Sequence, residues 1–216
     1  MSEALKREQP AADVAVSVET PLHYMRREIA GAQRADCGVL LREAVFQGHL
    51  SLRGDPDNEL FLKGVEEVLG VKLPTEPCAS AVAGQTRVYW LGPTEWLVIV
   101  EGGTEAEVEA RLRQTLHGHF SVVDISGGQT LINLSGGEVE SLLKKSSGYD
   151  FHPSRFGPGR CVQTTFAKAT ALVSKKADGS FDLVVRRSFA DYLFRWIADA
   201  AAEYGFAVER KAVQLP

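Results

Sequence analysis

The sequence lacks the features that mark a membrane or secreted protein. No stretch approaches the roughly 18 consecutive apolar residues of a transmembrane helix. The first residues, MSEALKREQPAADVAV, are polar and contain no apolar core of signal-peptide length. The three cysteines, Cys37, Cys78 and Cys161, are widely spaced with no CxxC pair, and their odd number argues against a disulfide framework. We therefore expect a cytoplasmic protein that does not contact a membrane.

An excess of positive charge is also missing. The 216 residues carry a formal net charge of −4 at pH 7, with 24% charged and 44% hydrophobic residues. Nonspecific attraction to nucleic acid depends on an excess of lysine and arginine, so this balance predicts no nucleic-acid partner. The composition is that of a globular protein with one large domain or two small ones.

Catalytic motifs are missing as well. The sequence contains no GxSxG, HExxH or P-loop motif, and no GxGxxG after a strand. His117 and His119 form the only close histidine pair, and no nearby cysteine or carboxylate completes a metal ligand set. Cys161 has no assigned base, so we interpret it as a small buried side chain. The residues thus predict no catalytic, cofactor-binding or metal site; a metal or redox protein using these three residues is a minor alternative.

The sequence does contain a repeated pattern. The segment HLSLRGDPDNELFLKGVEEVLGVKLP corresponds to TLINLSGGEVESLLKKSSGYDFHP, and WLVIV corresponds further on to FDLVV. Leu50 and Leu52 align with Ile132 and Leu134, in each case within an alternating, strand-like pattern. The offset of roughly 80 residues indicates two copies of one supersecondary unit, with chance similarity as the alternative.

Each copy is predicted as strand, helix, strand, strand, helix. Short turns such as GPTE between YW and WLVIV indicate hairpins, so each sheet should be mainly antiparallel with its helices on one face. The predicted fold class is therefore α+β, with two related lobes that arose by internal duplication. We expect a flexible N-terminal arm over residues 1–20, a first lobe over 21–118, a second lobe over 119–206 and a C-terminal tail over 207–216.

Two adjacent arginines lie where the last strand of the second lobe meets its last helix. In DLVVRRSFADYLFRWI, residues 183–185 predict a buried strand, and apolar residues from Phe189 onward recur at helical spacing. Ser188 is predicted as the N-cap of this helix. Arg186 and Arg187 fill the joint between the two elements.

Two further arginines, Arg155 and Arg160, flank the turn Gly157-Pro158-Gly159 in the same half of the chain. A cluster of guanidinium groups indicates an anion site or an acidic partner surface, since the planar fork forms bidentate pairs with carboxylates. The alternative is a scattered set of solvated cations that balance the acidic helices.

Four segments resemble the gamma subunit family of heterotetrameric sarcosine oxidase. They are YWLGPTEWLVIV (89–100), VVDISGGQTLINLSG (122–136), DFHPSRFGPGRCVQTTFAKA (150–169) and FDLVVRRSFADYLFRWI (181–197). They occur in order and extend the resemblance over most of the chain beyond the first 20 residues or so.

The resemblance implies a non-catalytic subunit of an enzyme that oxidatively demethylates sarcosine to glycine. The products would be hydrogen peroxide and either formaldehyde or, with tetrahydrofolate, 5,10-methylenetetrahydrofolate. The implied partners are an alpha subunit with NAD and a folate-binding domain, a beta subunit with FAD and covalent FMN, and a delta subunit with zinc. The candidate subunit-interface residues are Arg155, Arg160, Arg186 and Arg187.

The resemblance also implies the folate-binding fold of the aminomethyltransferases. Those enzymes have a stretch bearing Asn and Asp after the strand that leads toward the pterin, whereas Arg186-Arg187-Ser188 follows the candidate strand here. This departure disfavours independent folate chemistry. A stand-alone protein that binds tetrahydrofolate or an aminomethyl group is the alternative function.

Overall fold

Two β-sheets, each covered by helices on one face, make up the fold. The structure is a computed structural model that describes residues 19–23 and 37–209. In chain order the elements are β1 (Val39–Ala44), β2 (Gly48–Arg53), α1 (Glu59–Leu69), β3 (Ser80–Ala83), β4 (Thr86–Gly92), β5 (Glu95–Val100), α2 (Glu105–Thr115), β6 (Ser121–Asp124), β7 (Gln129–Ser135), α3 (Val139–Ser146), β8 (Cys161–Phe166), β9 (Ala169–Lys175), β10 (Phe181–Arg186), α4 (Ala190–Ala200) and β11 (Phe206–Val208). Among these residues, no helix is long and apolar enough to cross a membrane.

The two sheets share one strand order. The larger sheet has the order β11-β1-β7-β10-β9-β8, and the smaller sheet has the order β3-β4-β5-β2-β6. Every strand pair is antiparallel except β1 with β11. When the larger sheet is read from β8 and the smaller sheet from β3, the first five strands correspond in order. These are β8, β9, β10, β7 and β1 in the larger sheet and β3, β4, β5, β2 and β6 in the smaller sheet. The α+β class with mainly antiparallel sheets is confirmed.

The pairing registers of the two sheets also correspond. Leu50 on β2 pairs with Val98 on β5, and Ile132 on β7 pairs with Leu183 on β10. Leu50 and Ile132 are the residues that the sequence repeat aligns. The repeated sequence pattern is therefore matched by equivalent positions in space.

Each half of the chain contributes its first strand to the sheet of the other half. β1 pairs with β7, and β6 pairs with β2. The short connections over residues 45–47 and 125–128 carry the chain from one sheet to the other. The lobes over 21–118 and 119–206 stay a prediction about the repeated unit, because each sheet contains strands from both sides of that boundary.

Three buried clusters fill the layers. One lies between the larger sheet and helices α3 and α4, the second lies between the smaller sheet and helices α1 and α2, and the third lies between the two sheets. On β10, Leu183 and Val185 contact the helix side whereas Val184 contacts the other sheet, as the period of two in a strand requires. The layers therefore follow the order helices, sheet, sheet, helices.

The ends of two helices test the sequence reasoning. Asn58 caps α1 by accepting from the N–H groups of Leu60 and Phe61, and Gly70 ends it at a φ of 66°, in the left-handed region that glycine adopts readily. For α4 the predicted N-cap is wrong. A 3₁₀ turn over Arg187–Phe189 precedes the helix, so Ser188 lies within that turn and provides no side-chain cap.

The predicted apolar stripe of α4 is also wrong at its first position. Phe189 is 43% exposed, whereas Leu193 and Ile197 are fully buried. A 3₁₀ turn has three residues per turn instead of 3.6, so Phe189 is rotated off the face that the later residues share.

The first and last described residues contact the larger sheet. Most of the predicted arm over residues 1–20 lies outside the described residues, but Thr20 donates through Oγ1 to Oε2 of Glu43 at 2.6 Å and Leu22 is buried in the α3–α4 cluster. The predicted tail over 207–216 starts within β11, and its residues from 210 onward lie outside the described residues.

Candidate functional site

The four candidate arginines lie at two ends of the larger sheet. The backbone of Arg160 accepts from the N–H of Lys175, which pairs with Phe181 at the start of β10, whereas Arg186 is the last residue of that strand. At about 3.3 Å per residue, the two ends of β10 are roughly 17 Å apart. The structure therefore places Arg155 and Arg160 at one end of the sheet, and Arg186 and Arg187 at the other.

The arginines at the first end border the turn before β8. Arg155 is exposed, and Arg160 is half-buried with Nη1 donating to the carbonyl of Pro77 at 3.3 Å. Through this bond and the bridge from Ala79 to Arg160, the turn holds the start of β8 against the segment before β3. Arg160 thus links the two sheets within the chain.

The arginines at the second end have different surroundings. Nη2 of Arg187 donates to the carbonyl of Glu19 at 3.1 Å, so this side chain holds the N-terminal segment against the larger sheet. Arg186 is exposed and lines a cleft between the sheets. Phe189, in the 3₁₀ turn that follows β10, is 43% exposed.

The cleft has a volume of about 620 Å³ and a mixed lining. Strands β2, β4, β5 and β6 of the smaller sheet line it, together with β7, β8 and β10 of the larger sheet and the connection over residues 125–128. Three charged residues, Arg186, Glu95 and Asp124, belong to its lining. Glu95 also pairs with Nη2 of Arg53 at 3.0 Å, and Asp124 accepts from the backbone N–H of Ser126 at 2.9 Å. A polar ligand in the cleft would therefore find charged groups of both signs.

A buried ion pair crosses between the sheets. Nε of Arg87 on β4 lies 3.7 Å from Oδ2 of Asp182 on β10, and Nδ2 of Asn133 donates to Oδ1 of Asp182 at 2.6 Å. Within the described residues, Oδ2 of Asp182 and Nη1 of Arg87 have no hydrogen-bond partner. Burial, and secondly the Asp182 carboxylate, raises the pKa of Tyr89 well above its ordinary value of 10.0. The pair fixes how the sheets face each other.

Sequence reasoning missed this pair. Its signal was Asp182 within the apolar run FDLVV, where a charged residue on a strand covered on both faces needs a partner. The partner could not be identified from the sequence, because Arg87 is nearly 100 residues away.

A second polar contact also joins the sheets. Nδ1 of His49 on β2 lies 3.0 Å from Oε1 of Gln129 on β7, and His49 is 2% exposed. Burial lowers the pKa of His49 below its ordinary value of 6.5, an effect that the Gln129 hydrogen bond partly opposes. The buried imidazole is therefore neutral at neutral pH and donates to Gln129.

Cys161, His117 and His119, the residues that a metal or redox protein would use, do not form a common site. Cys161 is buried between the sheets with its thiol donating to the carbonyl of Ala79 at 3.2 Å, and burial raises its pKa to about 12. His117 and His119 are exposed. Across residues 19–23 and 37–209, no group of three or more His, Cys, Asp or Glu side chains could hold a metal ion. A thiol with this pKa is a poor nucleophile and metal ligand at neutral pH.

Comparison with known proteins gives consistent matches. Residues 53–203 match the family described as "Sarcosine oxidase, gamma subunit family". The sarcosine oxidase subunit gamma of Corynebacterium sp. strain U-96 is 32% identical over 209 residues, which cover 93% of each chain. That of Corynebacterium sp. strain P-1 is 33% identical over 189 residues, 86% of this chain and 90% of the relative.

Solved structures show the same similarity. A chain of the heterotetrameric sarcosine oxidase from Corynebacterium sp. U-96, in complex with pyrrole 2-carboxylate, superposes with a TM-score of 0.79 at 26% identity and covers 91% of this chain and 99% of that chain. The glycine cleavage system aminomethyltransferase T from Bartonella henselae superposes with a TM-score of 0.63 at 11% identity, over 89% of this chain and 59% of that chain. The second match shows a shared fold alone.

Replacing Asp182 with alanine should lower the free energy of unfolding by roughly 3–5 kcal/mol, because it leaves the Arg87 guanidinium largely buried without its carboxylate. Urea unfolding measures the change. Replacing both partners, Arg87→Met with Asp182→Leu, should cost much less than Asp182→Ala alone. Asp199→Ala, at an exposed aspartate on α4, is the control and should stay within about 0.5 kcal/mol of the original. An Asp182→Ala protein as stable as the control would contradict the role of the pair.

The buried His49 should make stability depend on pH. Its pKa is lowered in the folded chain, so the unfolded chain binds more protons as pH falls below 6.5, and the free energy of unfolding should decrease from pH 7 to pH 5. His49→Gln removes the titrating group while keeping a donor for Gln129, and should reduce this decrease. His117→Gln, at an exposed histidine, should leave it unchanged. Urea unfolding at both pH values compares the three proteins, and equal decreases in all of them would refute the assignment.

Proposed function

The chain belongs to the sarcosine oxidase gamma subunit family, and from this membership we propose that it serves as a non-catalytic subunit of a heterotetrameric sarcosine oxidase. The structural match to a chain of such an enzyme carries the proposal, since it spans 91% of this chain and 99% of that chain. Nearly the whole backbone of that subunit therefore has a counterpart in this chain.

The chemistry of the complex belongs to its other subunits in this proposal. The partners are the alpha, beta and delta subunits, which hold NAD, tetrahydrofolate, FAD, FMN and zinc. Together they convert sarcosine to glycine in the cytoplasm, with hydrogen peroxide and formaldehyde or 5,10-methylenetetrahydrofolate as products. The residues of this chain support a structural role: the Cys161 thiol is buried with a pKa of about 12, and the His49 imidazole is buried and hydrogen-bonded.

We assign the subunit contacts to both arginine-bearing ends of the larger sheet. At the second end, exposed Arg186 and exposed Phe189 combine a cation with an aromatic ring, the residue types enriched where interfaces are strongest. At the first end, Arg155 is exposed and Arg160 keeps part of its side chain accessible. Arg187 serves partly within the chain through its contact with Glu19.

Co-expression with the other three subunits tests the assembly. The chain should purify with them as a yellow complex of four different subunits, measured by native mass and flavin absorbance, and it should be colourless when purified alone. A chain that never joins a flavoprotein would refute the proposed function.

Arg186→Ala should weaken binding to the remaining subunits by roughly 1–3 kcal/mol if this arginine is a hot spot. This single change leaves the Arg187 contact with Glu19 intact, so a loss reports on the interface rather than on the N-terminal segment. The double variant Arg186→Ala with Arg187→Ala should lose at least as much.

The control for this comparison is Lys72→Ala with Arg111→Ala, which removes two exposed cations on the side of the smaller sheet. The readout is subunit affinity by sedimentation or surface-based binding. An unchanged affinity for Arg186→Ala would remove this residue from the interface.

The cleft supports a second candidate, the binding of tetrahydrofolate. A pterin presents N–H donors that the Glu95 and Asp124 carboxylates could accept, and the glutamate tail of a folate carries carboxylates that Arg186 could pair with. This function ranks second because Glu95 and Asp124 already have partners, in Arg53 and Ser126.

Titration of tetrahydrofolate into the lone chain, under reducing conditions and followed by calorimetry, separates the two candidates. The first proposal expects no saturable heat at micromolar concentration. Saturable binding that is weakened about tenfold or more by Arg186→Ala would assign the cleft to the folate and favour the second candidate. The control is again Arg111→Ala.

A further inference from the structure

Two of the three cysteines lie across from each other where the two sheets meet. Ala79 and Arg160 form an antiparallel bridge between the segment before β3 and the segment before β8. The residues next to this bridge on one side are Cys78 and Cys161, and the backbone N–H of Cys161 donates to the carbonyl of Cys78 at 2.8 Å. The fold therefore places Cys78 directly opposite Cys161 on the neighbouring segment.

This placement suits a disulfide bond. Hydrogen-bonded residues of an antiparallel pair have Cα atoms about 5.5 Å apart. Disulfides join residues whose Cα atoms are about 4.4–6.8 Å apart. Burial is the main cause that raises the pKa of Cys161 to about 12, and Cys78 contributes in the same direction, so the two thiols lie within electrostatic reach of each other.

The two thiols differ in their access to solvent. Cys78 is partly exposed. Cys161 is fully buried between the sheets, and its thiol donates to the carbonyl of Ala79 at 3.2 Å. An oxidant from solvent therefore reaches Cys78 first, whereas Cys161 is shielded from solutes and has Cys78 beside it.

From this arrangement we propose that Cys78 and Cys161 are a peroxide-sensitive pair, in which hydrogen peroxide oxidises Cys78 and Cys161 then closes a reversible disulfide. The bond joins the segment before β3 of the smaller sheet to the first residue of β8 in the larger sheet. The source of the peroxide rests on the proposed function, in which hydrogen peroxide is a product of the complex. The chemistry of the pair rests on this chain alone.

The first step oxidises Cys78 by two electrons. Its sulfur attacks one oxygen of hydrogen peroxide, an S–O bond forms and the O–O bond breaks. The leaving hydroxide takes up the thiol proton and becomes water, so the peroxide is reduced and Cys78 becomes a sulfenic acid.

The second step closes the disulfide. The Cys161 sulfur attacks the Cys78 sulfur, the S–S bond forms and the S–O bond breaks. The leaving hydroxide takes up the Cys161 proton as a second water. The raised pKa of Cys161 slows this attack, and its fixed position beside Cys78 offsets the loss. Thiol reductants of a reducing compartment reopen the bond.

Cys37 provides an internal control. It is partly exposed like Cys78, but it precedes β1, which is four strands away from β8 in the larger sheet. At about 4.8 Å per strand, it lies roughly 19 Å from the start of β8. A disulfide within one chain therefore cannot join Cys37 to Cys161.

Peptide mass spectrometry of the lone full chain tests the pair. Trypsin places the two cysteines in separate peptides, over residues 73–87 and 161–168. After treatment with hydrogen peroxide and blocking of the remaining thiols, these two peptides should appear linked, and dithiothreitol should separate them. The proposal is overturned if Cys78 stays unmodified, becomes sulfinic acid without the link, or is linked only to a second chain.

Two variants test the order of the steps. In Cys161→Ser the sulfenic acid at Cys78 meets no second sulfur, so its labelling by dimedone should be at least about tenfold greater than in the original chain. The serine hydroxyl still has the Ala79 carbonyl as acceptor. Cys78→Gly should leave Cys161 unmodified by peroxide. Equal dimedone labelling in Cys161→Ser and the original chain would contradict the second step.

Both variants are expected to fold. The φ of Cys78 is 60°, in the left-handed region that glycine adopts readily, so Cys78→Gly relieves backbone strain there. Urea unfolding checks each variant. Cys37→Ser is the matched control and should form the linked peptides as the original chain does. Loss of the link in Cys37→Ser would also overturn the pair.

The outcomes separate this inference from the proposed function. If the lone chain forms no link, the pair fails whether or not the chain assembles with other subunits. If the link forms but the chain never joins a flavoprotein, the proposed function alone fails. In an assembled complex turning over sarcosine without added peroxide, the linked peptides should appear and catalase should suppress them. Their absence during turnover would overturn the complex as the source of the oxidant.

Discussion

The pairing of each half's first strand with the other half's sheet is the constraint on which the rest of this structure depends. The backbone groups of β1 find their partners on β7, and those of β6 find theirs on β2, so neither sheet is complete without residues from both halves. Because buried backbone groups must be paired, the exchange ties the halves together more strictly than side-chain packing alone. The sheets face each other as a consequence, with helices on the two outer sides.

That arrangement buries polar groups that an isolated lobe would expose to water. Arg87 and Asp182 meet between the sheets, as do His49 and Gln129, and residues of both sheets, Arg186 among them, line a cleft. A buried ion pair adds little net stability but imposes a large cost when one partner is missing. We therefore regard it as fixing the relative position of the sheets, while the apolar clusters supply most of the stabilisation.

The near-symmetry of the sheets is most informative where it ends. The larger sheet closes its β1 edge with β11, while at the β6 edge of the smaller sheet Arg113 of α2 donates to the carbonyl of the fully buried Val122. At the larger sheet, exposed Arg186 ends β10, and exposed Phe189 lies in the 3₁₀ turn that follows it.

The sequence by itself determined the α+β class, the order of strands and helices in each repeat and the correspondence of Leu50 with Ile132, because alternation and helical spacing are local properties. It also supported the family resemblance. The tertiary structure alone decided the strand exchange, the Arg87–Asp182 pair and the separation of Arg160 from Arg186 along β10, since each depends on which distant segments pair. It also corrected Ser188 and Phe189, because a 3₁₀ turn and a first helical turn have almost the same local pattern but different residues per turn.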